Sequence, residues 1–121
     1  MERIGDAELA VMEVLWSEAP LTAAEVAARV APERGWSINT VKTMLSRLSA
    51  KGIVGHAEEG RRYLYRPAVA REDYAAQESG RLLDRMFGGR LTPLVAHLAA
   101  RDRLSASDIA EIEALLKALK P

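Results

Sequence analysis

The sequence predicts a mainly α (α+β) fold, with three short helices, one β-hairpin and then further helices. Three observations predict it. Apolar residues recur at helical spacing in three successive stretches before residue 51. The period then falls to two on either side of a glycine-bearing connection near residue 60. Beyond residue 70 the helical spacing returns and persists almost to the end.

Leu9, Met12, Leu15 and Trp16 share one helical face, which predicts an amphipathic helix over Asp6–Glu18, ending before Pro20. Thr22-Ala23-Ala24-Glu25 reads as a capping box, in which the Thr22 hydroxyl caps an early N–H and Glu25 reaches back. A second helix carrying Val26 and Val30 follows, and Pro32 and Gly35 should stop it. A third runs from Ser37 or Asn39 to Ala50, with Ile38, Val41, Leu45 and Leu48 inward and Gly52 as a left-handed cap. Ile53–Ala57 and Arg62–Arg66 are β-like runs flanking Glu58-Glu59-Gly60-Arg61. Tyr63 and Tyr65 fall on one strand face, Leu64 on the other, and Pro67 closes the hairpin. Three helices followed by a hairpin is the order of a winged helix-turn-helix, here spanning residues 1–69.

Residues 70–121 read as a helical tail. Tyr74, Leu82, Leu83, Met86 and Phe87 ride one helix, broken by Gly88-Gly89. Thr92-Pro93 suggests a cap with proline at the first helical position, opening a segment with Leu94, Val95 and Leu98. Ser105 or Ser107 should cap a last helix bearing Ile109, Ile112, Leu115, Leu116 and Leu119. There is no internal repeat and no low-complexity tract.

Charge is unevenly distributed. The chain is formally neutral, with 17 basic and 17 acidic residues. Residues 1–33 hold two bases against seven acids, a net of −5. Residues 34–66 hold Arg34, Lys42, Arg47, Lys51, Arg61, Arg62 and Arg66 against Glu58 and Glu59, a net of +5. One basic block therefore sits over the third helix and hairpin. No acid lies between Arg34 and Glu58.

At 100° per residue, the outer face of the third helix holds Asn39, Thr43, Ser46, Arg47 and Ala50, flanked by Thr40, Lys42 and Lys51. Short hydroxyls, an amide and cations without a carboxylate fit a major groove, where Asn pairs with adenine, Arg with guanine and Thr with thymine methyls. Asn39, Thr40, Lys42, Thr43, Ser46 and Arg47 are thus the candidate base and groove contacts, and Arg61 and Arg62 the candidate backbone contacts of the wing. The plainer alternatives are a solvated helix face and an exposed turn. The tail has more apolar surface than it can bury alone, and groove readers of this type span two half-sites. Leu82, Leu83, Met86, Leu94, Leu98, Ile112, Leu115 and Leu119 are therefore the expected dimer interface.

Other functions find little material. There is no cysteine, which removes disulfides, thiolate metal sites and thiol nucleophiles and fits a reducing, cytoplasmic setting. The N-terminus lacks a signal-peptide core, and no apolar run approaches a membrane span. His56 and His97 are the only histidines, and neither has a companion at metal-binding or hydrolytic spacing. No catalytic residue, metal or cofactor is expected. The open rival is a protein-interaction module on a winged-helix scaffold, whose binding would be insensitive to salt.

Asp6-Ala7-Glu8, Val14-Leu15-Trp16, Leu21-Thr22, Gly35-Trp36, Thr40-Val41-Lys42-Thr43, Arg47-Leu48 and Lys51-Gly52 form a recognisable series. It continues through Gly60-Arg61, Tyr63-Leu64-Tyr65, Gln77-Glu78-Ser79, Phe87-Gly88-Gly89 and Pro93-Leu94-Val95. In this order, from about Ile4 to Leu119, the chain resembles the penicillinase-repressor (BlaI/MecI/CopY-type) family. The resemblance implies a homodimer that sits on a palindromic operator in double-stranded DNA and blocks transcription, typically of β-lactam-resistance genes. It also implies a protease partner, since in the best-known members a membrane sensor with a metalloprotease domain triggers cleavage in the dimerisation region. The scissile Asn-Phe pair of those members falls on His97-Leu98 here, which makes His97 and Leu98 the candidate proteolytic site while departing from the usual chemistry. The C-terminal cysteines of the copper-responsive branch are missing. Gly5 stands where a Thr or Ser usually caps the first helix.

Overall fold

A computed structural model describes residues 1–30 and 34–120. Within them run α1 (Asp6–Ser17), α2 (Ala23–Arg29), α3 (Ile38–Ala50), β1 (Val54–Glu59), β2 (Arg62–Pro67), α4 (Arg71–Met86), α5 (Leu91–Ala100) and α6 (Ala106–Leu119). The mainly α winged helix-turn-helix order is the one expected. Pro32, expected to stop α2, lies outside the described residues.

Each early helix starts where the sequence supplies partners for its unpaired N–H groups. Gly5 caps α1 without a side chain, and the Glu8 carboxylate reaches back to accept from the Gly5 N–H at 3.0 Å. Thr22 and Glu25 form the expected capping box on α2, with reciprocal bonds of 3.1 and 2.9 Å. The acceptor duty of Glu25 toward the Thr22 N–H and hydroxyl holds its carboxyl below the usual carboxylate range. Ser37, rather than Asn39, caps α3 by accepting from the Thr40 N–H. At the other end of α3, Gly52 adopts φ +76° and the Ile53 N–H bonds back to the Leu48 carbonyl. That left-handed turn needs glycine and redirects the chain into β1.

The strands pair antiparallel, from Val54 opposite Pro67 to Glu59 opposite Arg62. The turn is therefore only Gly60-Arg61, with φ +65° at Gly60, the pattern that places Gly first in a type II′ hairpin. Glu58 and Glu59, expected in the connection, belong to β1. Leu21 adds a short third segment to this sheet, exchanging two backbone bonds with Tyr65 at 3.1 and 2.7 Å.

Val11, Met12 and Leu15 of α1, Val26 of α2, and Val41, Met44, Leu45 and Leu48 of α3 bury together against Ile53 and Val54. One expectation fails here. Ile38 is 46% exposed, and Met44 fills the inward stripe of α3 instead. Ile38 is the first helical residue, on the flank of that stripe, where α3 borders an open groove beside β2.

The chain divides into two compact units, Met1–Glu78 and Ser79–Pro121, with α4 passing from one into the other. In the first unit, Tyr74 is buried, and its hydroxyl accepts from the Ile4 N–H at 2.8 Å and donates to the Ile4 carbonyl at 3.4 Å. The Trp16 indole N–H donates to the Val69 carbonyl at 2.9 Å, and Arg71 pairs with Glu13 at 3.0 Å. These bonds fasten the first turns of α4, and Val69 just before it, to α1 and to Ile4 just before that.

In the second unit, α4 ends as expected at Gly88-Gly89, both with positive φ. The cap of α5 differs from expectation. Arg90 precedes the helix and Pro93 is its third residue, still among the first-turn positions whose N–H has no helical acceptor. Ser105 caps α6 in a box with Asp108, whose carboxyl is lowered by accepting from the Ser105 N–H and hydroxyl. No described residue of this unit is buried.

Candidate nucleic-acid interface

The stripe that buries α3 dictates which residues it presents. With Val41, Met44, Leu45 and Leu48 inward, Asn39, Lys42, Thr43, Ser46 and Arg47 are all exposed, while Thr40 is half-buried. The Thr40 hydroxyl is 3.1 Å from the Ser37 hydroxyl, and its own N–H is committed to the cap. The Thr43 hydroxyl donates to the Asn39 carbonyl at 3.0 Å, leaving its oxygen lone pairs and methyl toward solvent. The face therefore offers an amide, hydroxyls, a methyl and cations, and no carboxylate on α3 competes with them.

Lys42 and Arg47 make no ion pair among the described residues. Lys51 does, and this corrects its expected place beside the outer face. Its ammonium donates to the Glu8 carboxylate at 2.7 Å and to the Arg3 carbonyl at 3.0 Å, tying the end of α3 to the start of α1. Glu8 is only 8% exposed. Burial pushes its carboxyl up, but the bonds from Lys51 and the Gly5 N–H, with the charges of Lys51 and Arg47, outweigh burial and hold it below its ordinary value.

The hairpin stands beside α3. Its turn presents Arg61, and Arg62 is exposed on β2, 3.6 Å from the equally exposed Glu59. An exposed pair at that distance contributes little, so Arg62 remains available to another anion. His56, Tyr63 and Tyr65 form a cross-strand aromatic group, with His56 and Tyr63 edge-to-face at 4.8 Å. Burial pushes the Tyr65 phenol up. Lys42, Arg61 and Arg62 meet in one groove between α3 and β2, together with Ile38 and Tyr63. Neither Ile38 nor Tyr63 was among the expected contacts. The alternation of β2 could have flagged Tyr63, whereas nothing in the sequence separates Ile38 from the core stripe.

A three-helix core with a hairpin wing and a carboxylate-free helix face is now in place, and comparison with known proteins decides its kinship. The sequence model of the family described as Penicillinase repressor matches residues 4–118. The chain belongs to the penicillinase-repressor family. A family member, the penicillinase repressor of Bacillus licheniformis, is 36% identical over 115 residues, covering 95% of this chain and 90% of that protein. The solution structure of the DNA-binding domain of the repressor BlaI matches with a TM-score of 0.53 at 39% identity, covering 61% of this chain and 94% of that one. The monomeric form of Bacillus licheniformis BlaI, solved in complex with the blaP half-operator, matches at 0.52 and 40% identity, covering 60% and 89%. The family is one of repressors rather than catalysts.

The expected interface residues of the tail occupy three helices. Leu82, Leu83 and Met86 lie on α4, Leu94 and Leu98 on α5, and Ile112, Leu115 and Leu119 on α6. Leu83, Leu94, Leu98 and Ile112 are half-buried and the others exposed, Leu115 at 66% and Leu119 at 80%. Leu91, Ile109 and Leu116 are exposed as well and lie outside the expected interface. The candidate proteolytic pair His97-Leu98 lies inside α5, with the His97 ring 6.5 Å from that of Phe87. No helix among the described residues is long and apolar enough to cross a membrane. Among the described residues, no group of three His, Asp or Glu is placed to hold a metal ion.

Proposed function

We propose that this chain is a sequence-specific DNA-binding transcriptional repressor. It acts in the cytoplasm as a homodimer on a palindromic operator, controlling β-lactam-resistance or related stress genes. The observation that carries the reading is the outer face of α3, polar, cationic and free of carboxylates, beside a wing with two exposed arginines. Its relative bound to the blaP half-operator supports the same docking. Residues 1–69 carry the DNA-binding function and residues 70–121 the dimerisation. Asn39, Thr40, Lys42, Thr43, Ser46 and Arg47 enter the major groove, and Arg61 and Arg62 hold the backbone.

Dimerisation is supported by the exposed leucines of α4 and α6. An apolar surface of that extent is costly in water unless a second copy covers it. Inactivation by a membrane sensor-protease, or by another protease, would act at His97-Leu98. Because this pair lies in a hydrogen-bonded helix, cleavage requires α5 to open locally, so cutting should be slow in the intact dimer.

The test is an operator selected from random duplexes and rebound by Arg47→Ala. If Arg47 reads a guanine, the variant loses about 1–3 kcal/mol and relaxes specificity at one position per half-site. Undiminished affinity and specificity would remove α3 from the reading role.

A further inference from the structure

Ile38 is an anomaly on this surface. It is a β-branched apolar residue, 46% exposed, at the first position of a helix whose other outward residues, Ala50 apart, are polar. It is not stranded alone. It lines a groove with Tyr63, itself 46% exposed, above the half-buried Tyr65. The rim carries Lys42 from α3 and Arg61 and Arg62 from the hairpin, while the capped start of α2 forms the remaining wall.

The charges at this rim are lopsided. Lys42 and Arg61 have no ion pair among the described residues. Two carboxylates lie close to Arg62. Glu59 pairs with it in the open, and Glu25, which feels its charge, already accepts from Thr22. A groove with an apolar floor and wall and three cations on its lip suits a ligand that alternates an anion with a small apolar face. A deoxyribose-phosphate backbone has that alternation.

We infer that this groove seats one nucleotide of the operator backbone, its phosphate held by Lys42, Arg61 and Arg62 and its deoxyribose packed against Ile38 and Tyr63. The inference rests on the DNA-binding reading above and adds an apolar contact to it. Ile38 lies toward β2 and α2 rather than at the centre of the outer face, so it meets the backbone and not a base edge. It therefore contributes affinity without sequence preference, because every nucleotide presents the same sugar. Lys42, a flanking residue, likewise acts on a phosphate here.

Full-length wild type, Ile38→Ser and Lys42→Gln are titrated on a selected operator and on an unrelated duplex, across a salt series. Ile38 is outside the core, so Ile38→Ser should fold normally, and circular dichroism checks this. Its affinity should fall roughly five- to tenfold on both duplexes alike, with the salt slope unchanged, since only an apolar contact is lost. Lys42→Gln should weaken binding on both duplexes and make the slope shallower, because Arg61 and Arg62 then neutralise the same phosphate less completely. A methylphosphonate scan of the operator completes the test. At one position per half-site, neutralising the phosphate should weaken wild type more than Lys42→Gln, in which only Arg61 and Arg62 still hold it. A loss by Ile38→Ser confined to the operator, or no loss at all, overturns the sugar seat while leaving the repressor reading intact. Failure of wild type to bind any duplex overturns both.

Discussion

Replacing Lys51 with Met tests how the recognition helix is held. The Lys51 ammonium bonds the Glu8 carboxylate at 2.7 Å and the Arg3 carbonyl at 3.0 Å. The two side chains are 25% and 11% exposed, and the second oxygen of Glu8 has no hydrogen-bond partner among the described residues. Removing one member of a buried pair typically costs about 3–5 kcal/mol. Lys51 is partly wet, which brings the cost below that range, and we expect about 2–3 kcal/mol at neutral pH. The pH dependence sharpens the test. In wild type the folded Glu8 carboxyl titrates below its unfolded value of about 4.3, through the bonds and charges that outweigh its burial. Its stabilisation is thus fully present above that unfolded value and is lost as pH falls through the lowered folded one. In Lys51→Met burial is no longer outweighed, and the carboxyl moves up instead. Protonation then relieves the variant, so the gap between the two proteins should narrow as pH falls from 7 toward 4. Urea unfolding of the full chain at both pH values, at one protein concentration, measures it. A gap below about 0.5 kcal/mol, the range of an ordinary surface substitution, or one independent of pH, would refute the reasoning.

Tyr74→Phe removes the hydroxyl that serves both backbone groups of Ile4. Leaving a buried N–H unpaired should cost about 1–3 kcal/mol in the same unfolding assay. Gly60→Val forces a β-branched residue into a positive φ at the wing turn, where open space surrounds the position. Circular dichroism should therefore show intact helices, while DNA binding weakens because Arg61 and Arg62 are displaced. Leu115→Asp places a charge on an open part of the proposed interface, and light scattering should report monomers. A variant still dimeric would move the interface elsewhere on the tail.

Local signals made much of this molecule readable in advance. The Thr22-Glu25 box, the Gly52 stop and the switch of period near Gly60 each act within a few residues, so α2, α3 and the hairpin could be placed from the sequence. The outward face of α3 followed from its inward stripe, because one periodicity fixes both. What escaped depends on distant partners. Lys51 finds Glu8 across 43 residues, and nothing near Lys51 distinguishes it from Lys42. The single bridge of Leu21 to Tyr65 has no period to detect. Ile38 fits the apolar spacing of α3 but lies where the helix begins and the groove opens. In α5, Thr92-Pro93 looked like a cap, yet proline is tolerated throughout the first turn, and the helix starts earlier.

The most direct measurement is a mobility shift of the purified protein on its own upstream intergenic DNA across a salt series. Lys42, Arg61 and Arg62 close on one phosphate in each of two protomers, so the slope of log K against log salt should be about −2 or steeper. A specific complex of two chains per operator with that slope is the predicted result. Binding that ignores salt, or no specific complex there or with any duplex selected from random DNA, would contradict the repressor reading.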